Sequence, residues 1–142
     1  MYKIIVWTLI TKNDEVLLLK KPDNSEWVLA GGHVEDNESL KITARRRIME
    51  EVGLRINDED LNLLCIIDRK LDNAYKLHAF FQASKWEGEP ENRESDIHSD
   101  MKWHKLDSLP DNLGVLALTA IESMKTKELY HFRDHIENHN KH

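Results

Sequence analysis

Apolar and polar positions fall into blocks along the chain, and the period of the pattern changes from block to block. Residues 3–11, KIIVWTLIT, are rich in β-branched and aromatic side chains, which suits a pleated strand. Lys12–Glu15 is a polar turn, Val16–Leu19 a second strand, and Lys20, Lys21 and Pro22 end it. A polar loop, Asp23–Glu26, leads into the short strand WVLA, which Gly31–Gly32 breaks. From about Asn37 the period becomes helical, with Asn37 or Asp36 placed to cap and Glu38 suited to the first turn. Leu40, Ala44, Ile48 and Val52 form one apolar stripe, and Gly53 ends the helix. LNLLCIID and AYKLHAFFQAS flank the turn Leu71–Asn73 as a strand pair. Residues 86–100, WEGEPENRESDIHSD, form a long polar loop, and such loops in compact domains are often functional. The strand MKWHKL, a turn at Ser108–Asn112 and a helix over Val115–Met124 complete the pattern. Interspersed strands and helices without internal repeats predict one layered α/β or α+β domain.

The length of 142 residues agrees with one domain. A chain this long buries roughly 70% of its unfolded surface and needs neither disulfide nor structural metal. Cys65, the single cysteine, lies in the apolar run LNLLCII and reads as a buried small hydrophobe. One cysteine allows no internal disulfide, and MYKIIVWTLITKNDE lacks the pattern of a signal peptide or spanning helix, so the expected location is cytoplasmic with no membrane association. The formal charge of −6 argues against general nucleic-acid binding. An acidic protein that binds polyphosphate needs a divalent cation as a bridge.

The charges on the first helix sharpen this. With each residue turning about 100°, Glu51 lies about 60° from the centre of the apolar stripe at Ile48, Arg47 about 100° and Glu50 about 160°. The three share one polar arc, and Arg46–Glu50 and Arg47–Glu51 are i,i+4 pairs of opposite charge. A solvated helix face would look the same. The preceding WVLAGGHVEDNESL separates the two readings, because a glycine pair lets backbone approach a ligand next to that oxygen-rich arc. Hard cations such as Mg²⁺ take carboxylate, carbonyl and water oxygens.

Residues 32–54, GHVEDNESLKITARRRIMEEVGL, resemble a Nudix box. Gly32, Glu38, Arg46, Ile48, Glu50, Glu51, Gly53 and Leu54 fall in register with it, and Arg47 departs from it. WVLAGGHVE resembles the family's lead-in, with Ala30 where proline is usual. WEGEP with Glu94, and MKWHKLDSLPDNL, resemble the third-strand region and closing segment of MutT-like members. The resemblance spans roughly residues 3–128, leaving 129–142 as a tail in which His131, His135, His139 and His142 recur at metal-compatible spacing or form a solvated terminus.

The resemblance implies the Nudix fold, an α/β/α sandwich with a mixed β-sheet. It implies Mg²⁺-dependent cleavage of a nucleotide diphosphate linkage, with Mn²⁺ as an alternative ion. The substrate class it favours is a nucleoside triphosphate, oxidised ones included, cleaved to monophosphate and pyrophosphate. It also implies metal ligands at Gly31 (carbonyl), Glu50, Glu51 and Glu94, and structural roles for Gly32, Glu38, Arg46 and Gly53. Members often carry glutamate at the position of Arg47, as ligand or base. Arginine serves as neither, having no acceptor atom and a pKa above about 12. Arg47 is then either a clamp on transition-state charge, with the base at Glu94, Glu35 or His98, or the residue that leaves a nucleotide-binding module without catalysis. His33 is a candidate phosphate contact, Trp27 a candidate base-stacking residue and Asn112 a candidate base reader. The acidic charge disfavours an RNA-end decapping enzyme, and a monomer or homodimer is expected.

Overall fold

The computed structural model describes residues 1–134 and is organised around one long strand, β1 (Tyr2–Lys12). One edge of β1 pairs in parallel with β6 (Ala74–Ala83). Its other edge pairs antiparallel first with β4 (Ala30–His33) and then with β2 (Glu15–Lys20). β5 (Asn62–Leu71) continues the sheet antiparallel to β6, and β8 (Tyr130–Arg133) closes that end in parallel with β5. β3 (Trp27–Val28) and β7 (Asp100–Lys105) both pair with β2, giving an eight-stranded mixed sheet.

Side-chain alternation on these strands decides the layers. Val6, Ile10, Leu17, Leu19 and Phe81 pack on one face against Ala44, Ile48 and Val52 of α1 (Leu40–Val52). Leu9, Val16, Leu18, Cys65, Ile67 and Phe80 pack on the other against Ala117, Ala120 and Ile121 of α2 (Val115–Thr126). The result is the α/β/α sandwich expected from the sequence, with Cys65 fully buried. No helix among the described residues is long and apolar enough to cross a membrane.

Three local expectations need correction. Helix α1 starts later than its polar lead-in suggests: Asn37 takes φ +67, and Ser39 is the cap, its hydroxyl accepting from the Ile42 N–H at 3.2 Å. The turn at Asn37 leaves Glu38 outside the helix, where its carboxylate meets Arg46 rather than the helix dipole. The segment WVLA splits at Leu29 into β3 on β2 and β4 on β1. The end of the sheet runs past residue 128, since Tyr130–Arg133 form β8 and the Ile66 N–H donates to Leu129 O at 2.8 Å. His131 hydrogen-bonds through Nε2 to Ser123 Oγ of α2 at 2.8 Å, whereas His135, His139 and His142 lie outside the described residues.

Ile48, at 1% exposure, carries the contact of α1 with the sheet, and Leu63 on β5 is 52% exposed. Urea denaturation of Ile48→Ala is expected to show a loss of about 2–5 kcal/mol. Leu63→Ala should stay within about 0.5 kcal/mol of wild type. Equal losses would mean that the layer assignment is wrong.

Candidate active site

Glu51 faces inward from α1 and is 3% exposed. Its Oε1 accepts from the Gly31 N–H at 2.7 Å, and its Oε2 lies 3.3 Å from Arg47 Nη2 and 3.5 Å from His98 Nε2. Gly31 makes the first contact feasible. A Cβ there would stand 2.2 Å from Val6 O and 2.5 Å from Trp7 Cε3, so only glycine lets β4 lie flush on β1 with its outer polar groups turned to α1.

The Arg47 side chain runs along Gly32, where an added Cβ would meet Nε at 2.8 Å, and turns inward. Its Nε donates to Gly31 O at 3.0 Å, Nη1 to Glu50 Oε1 at 2.7 Å and Nη2 to Glu94 Oε1 at 3.2 Å. With Glu51, these are the oxygens expected to hold a metal. The guanidinium therefore stands among them as a tethered cation.

Glu94 and His98 arrive on the long polar loop, which backbone hydrogen bonds tie to α1. Glu91 N–H donates to Val52 O at 3.0 Å and Arg93 N–H to Glu51 O at 2.9 Å. The His98 N–H donates to Glu94 O at 2.8 Å, and Asn92 Nδ2 donates to His98 O at 2.8 Å. This turn directs both side chains at Glu51. On the opposite flank, Arg46 grips Glu38 through Nε at 2.6 Å and Nη2 at 3.0 Å, and Nη2 also reaches His33 O at 3.2 Å. Glu38 accepts as well from the Glu35 N–H and the Thr43 hydroxyl, so the pair fastens the loop after β4 to α1.

Burial sets the electrostatics. Arg46, chiefly, holds the Glu38 carboxyl down to about 2. Desolvation pushes Glu51 up to about 7, against the pull of Arg47 and the Gly31 N–H. Desolvation likewise lowers His98, against the pull of Glu94. For Arg47 the penalty of burial is outweighed by Glu51, Glu50 and Glu94, and its pKa is raised.

The other expected substrate contacts fall elsewhere. Trp27 is buried in the α2-side core with its ring edge-on to His104 at 4.5 Å, so it packs rather than presents a face. Asn112 is a turn residue: its Nδ2 donates to Ser25 O and its carbonyl accepts from the Trp27 N–H. His33 is exposed at the end of β4, and Glu35 is exposed with its carboxylate 3.9 Å from Arg46. A cleft of about 320 Å³ opens instead between Trp7, Val28 and Phe80 on the sheet and the start of α2, with Lys21, Glu26 and Arg69 at its polar side. Trp7 is both a wall of this cleft and the neighbour of Gly31, so cleft and carboxylate cluster meet at one point of β4. Lys21, Glu26 and Arg69 come from separated segments, and no local spacing in the sequence marks them as a set.

The family model of the NUDIX domain matches residues 1–124. The chain belongs to the NUDIX domain family. It is 34% identical over 104 residues to the NAD-capped RNA hydrolase NudC of Pseudomonas aeruginosa, covering 72% of this chain and 36% of that protein. The chain thus spans about a third of the length of NudC. It is 30% identical over 112 residues to the 8-oxo-dGTP diphosphatase of Buchnera aphidicola, covering 76% of this chain and 81% of the relative. Among solved structures it is similar to the MutT NUDIX hydrolase from Burkholderia pseudomallei, with TM-score 0.78 and 28% identity over 87% of this chain and 98% of the other. The MutT protein of Bacillus halodurans shares the fold at TM-score 0.76 and 24% identity, over 93% and 89% of the two chains.

The donors of this NUDIX chain fit a divalent cation. Carboxylate oxygens of Glu51 and Glu94 and one ring nitrogen of His98 all lie within 4.8 Å of one another. Gly31 O and Glu50 are drawn to the same place through Arg47. An ion bound there would share these oxygens with the guanidinium.

The Glu51 carboxyl titrates at about 7 in the folded protein against 4.5 ordinarily, so between these values the folded state binds more protons than the unfolded one. Its contribution to stability therefore falls as pH rises through that window. In chelator, the unfolding free energy of wild type minus that of Glu51→Gln is expected to decline from pH 4.5 to 7. The opposite contribution of buried His78, lowered to about 4, is common to both proteins and cancels. A flat difference would show that folding leaves the Glu51 pKa unshifted, and a rise would show that it is lowered.

Proposed function

We propose that this NUDIX chain hydrolyses the diphosphate linkage of a nucleotide, converting a nucleoside triphosphate, oxidised forms included, to monophosphate and pyrophosphate. The observation that carries the reading is the convergence of Glu50, Glu51, Glu94 and the Gly31 carbonyl beside a nucleoside-sized cleft. Similarity to the 8-oxo-dGTP diphosphatase over 81% of that relative's length supports this substrate class over NAD-capped RNA, since NudC is covered over only 36%.

Each residue has a task that its position supports. Trp7 is held by its Nε1 donating to His78 Nδ1 at 3.0 Å, which makes it a fixed wall for the nucleoside. Lys21 and Arg69 supply positive charge at the cleft and Glu26 an acceptor. Glu51, Glu50, Glu94 and Gly31 O would hold Mg²⁺ or Mn²⁺, which when bound neutralises phosphate oxygens and polarises water. Glu94 is the favoured base: it is only partly buried and sits on the loop rather than the helix. Arg47, once released from the carboxylates, is long enough to clamp phosphate oxygens.

A specific observation also favours a second reading, a nucleotide-binding module without turnover. The Arg47 guanidinium bonds the very oxygens the ion needs. Two unit charges 4 Å apart interact by about 4 kcal/mol at an effective dielectric of about 20, and a divalent ion doubles the repulsion. Turnover of a panel including 8-oxo-dGTP, ordinary triphosphates and NAD-capped RNA, with Mg²⁺ or Mn²⁺, separates the readings. The hydrolase is expected to release pyrophosphate, and Glu94→Gln to lower kcat by roughly 10²–10⁴-fold. A silent wild type together with an active Arg47→Glu would establish the binding module instead.

A further inference from the structure

The geometry points to His98 as a metal ligand: with Glu51 and Glu94 we propose that it forms a mixed carboxylate–imidazole seat that takes Mn²⁺ and later first-row divalent ions in preference to Mg²⁺. The inference rests on reading this cluster as the metal seat and not on which nucleotide is cleaved.

Three observations carry it. The His98 side chain is 7% exposed, and its Nε2 lies 3.5 Å from Glu51 Oε2. No protein atom hydrogen-bonds its Nδ1, so the ring is incompletely satisfied whichever nitrogen carries the proton. Its ligating nitrogen and one oxygen each of Glu51 and Glu94 already lie within 4.8 Å of one another. Donors at about 2.0–2.2 Å from an ion are at most about 4.4 Å apart, so a small side-chain adjustment closes the set. An unsatisfied buried nitrogen alone would not suffice. His78 has one too, at Nε2, but its ring packs against Trp7 and Phe80, outside the carboxylate cluster.

The departure at position 47 gives the imidazole its purpose. Where a further carboxylate would add charge and an oxygen, this chain has a guanidinium 3.3 Å from Glu51 and 3.2 Å from Glu94. Those oxygens are partly engaged before any ion arrives. Of the three ligands, Arg47 pairs with the two carboxylates and makes no hydrogen bond to His98. Imidazole contributes little to Mg²⁺, which demands oxygen, and more along the series from Mn²⁺ onward. A guanidinium at position 47 together with a histidine donor at position 98 thus shifts the seat from a hard ion toward transition metals.

The test uses the full chain, freed of metal and given one equivalent of Mn²⁺ without nucleotide. Electron spin-echo envelope modulation is expected to show a ¹⁴N coupling in wild type and none in His98→Gln. Even outer-shell changes cost roughly 10–100-fold in metal affinity, so His98→Gln should weaken Mn²⁺ by at least about 10-fold while Mg²⁺ changes by less than about threefold. Should His98→Gln fail to fold, Glu94→Gln serves: it keeps the histidine but dismantles the seat, and a coupling from any other histidine would survive it. Absence of ¹⁴N coupling in wild type, its survival in the variant, or equal weakening of both ions overturns the assignment. Nitrogen coupling without nucleotide turnover would leave the assignment standing and remove the hydrolytic reading. Turnover with oxygen-only coordination would do the reverse.

Discussion

A carboxylate at 3% exposure has to be met by donors or give up its charge, and Glu51 is that carboxylate here. Much of the surrounding architecture is arranged to meet it. Gly31 exists without a side chain so that its N–H can reach Glu51 Oε1. Arg47 bends inward to set a positive charge beside Oε2, and the loop carrying His98 is pinned to α1 through the Glu51 carbonyl itself. Removing one of these supports leaves a buried charge short of a partner, which costs more than the lost contact alone.

The same arrangement explains why position 47 matters so much. An arginine there need not have entered the cluster, since it is long enough to lie in solvent. It enters where Gly31 O, Glu50 and Glu94 accept from it and Glu51 lies within ion-pair distance. The oxygens of the cluster are therefore partly engaged before an ion arrives. Any divalent cation must bring enough ligand affinity, or a phosphate that draws Arg47 away, to replace an interaction that is already intramolecular.

The two faces of the sheet divide the work. The α1 face holds the charges, and the α2 face opens the cleft, with Trp7 and Gly31 of paired strands as the shared boundary. A nucleotide spanning that boundary would place its phosphates at the carboxylates and its nucleoside against Trp7 and Phe80. The Glu38–Arg46 clasp keeps the loop after β4 in register with α1, and Arg46 Nη1 also donates to Glu50 Oε1 at 3.1 Å, which ties the clasp to the carboxylate cluster.

Local pattern was enough for the elements. Runs rich in β-branched and aromatic residues marked the long strands, the stripe Leu40–Ala44–Ile48–Val52 marked α1, and its spacing put Glu50, Glu51 and Arg47 on one arc. Failures came where side chains at long range decide the backbone: Glu38 leaving the helix for Arg46, and β8 pairing with a strand more than sixty residues earlier in the chain. Trp27 and Asn112 were legible as positions, and the structure adds that Trp27 is buried in the α2-side core and that Asn112 bonds the neighbouring loop. The cleft, formed by Lys21, Arg69 and the start of α2, has no sequence signature at all. What the sequence determined by itself is the family, the layers and the inventory of charges around residue 47, since these follow from residue type and period. Only the tertiary structure decided where the Arg47 guanidinium goes and that His98 faces Glu51, because both depend on contacts across some 47 residues of chain that no local periodicity encodes.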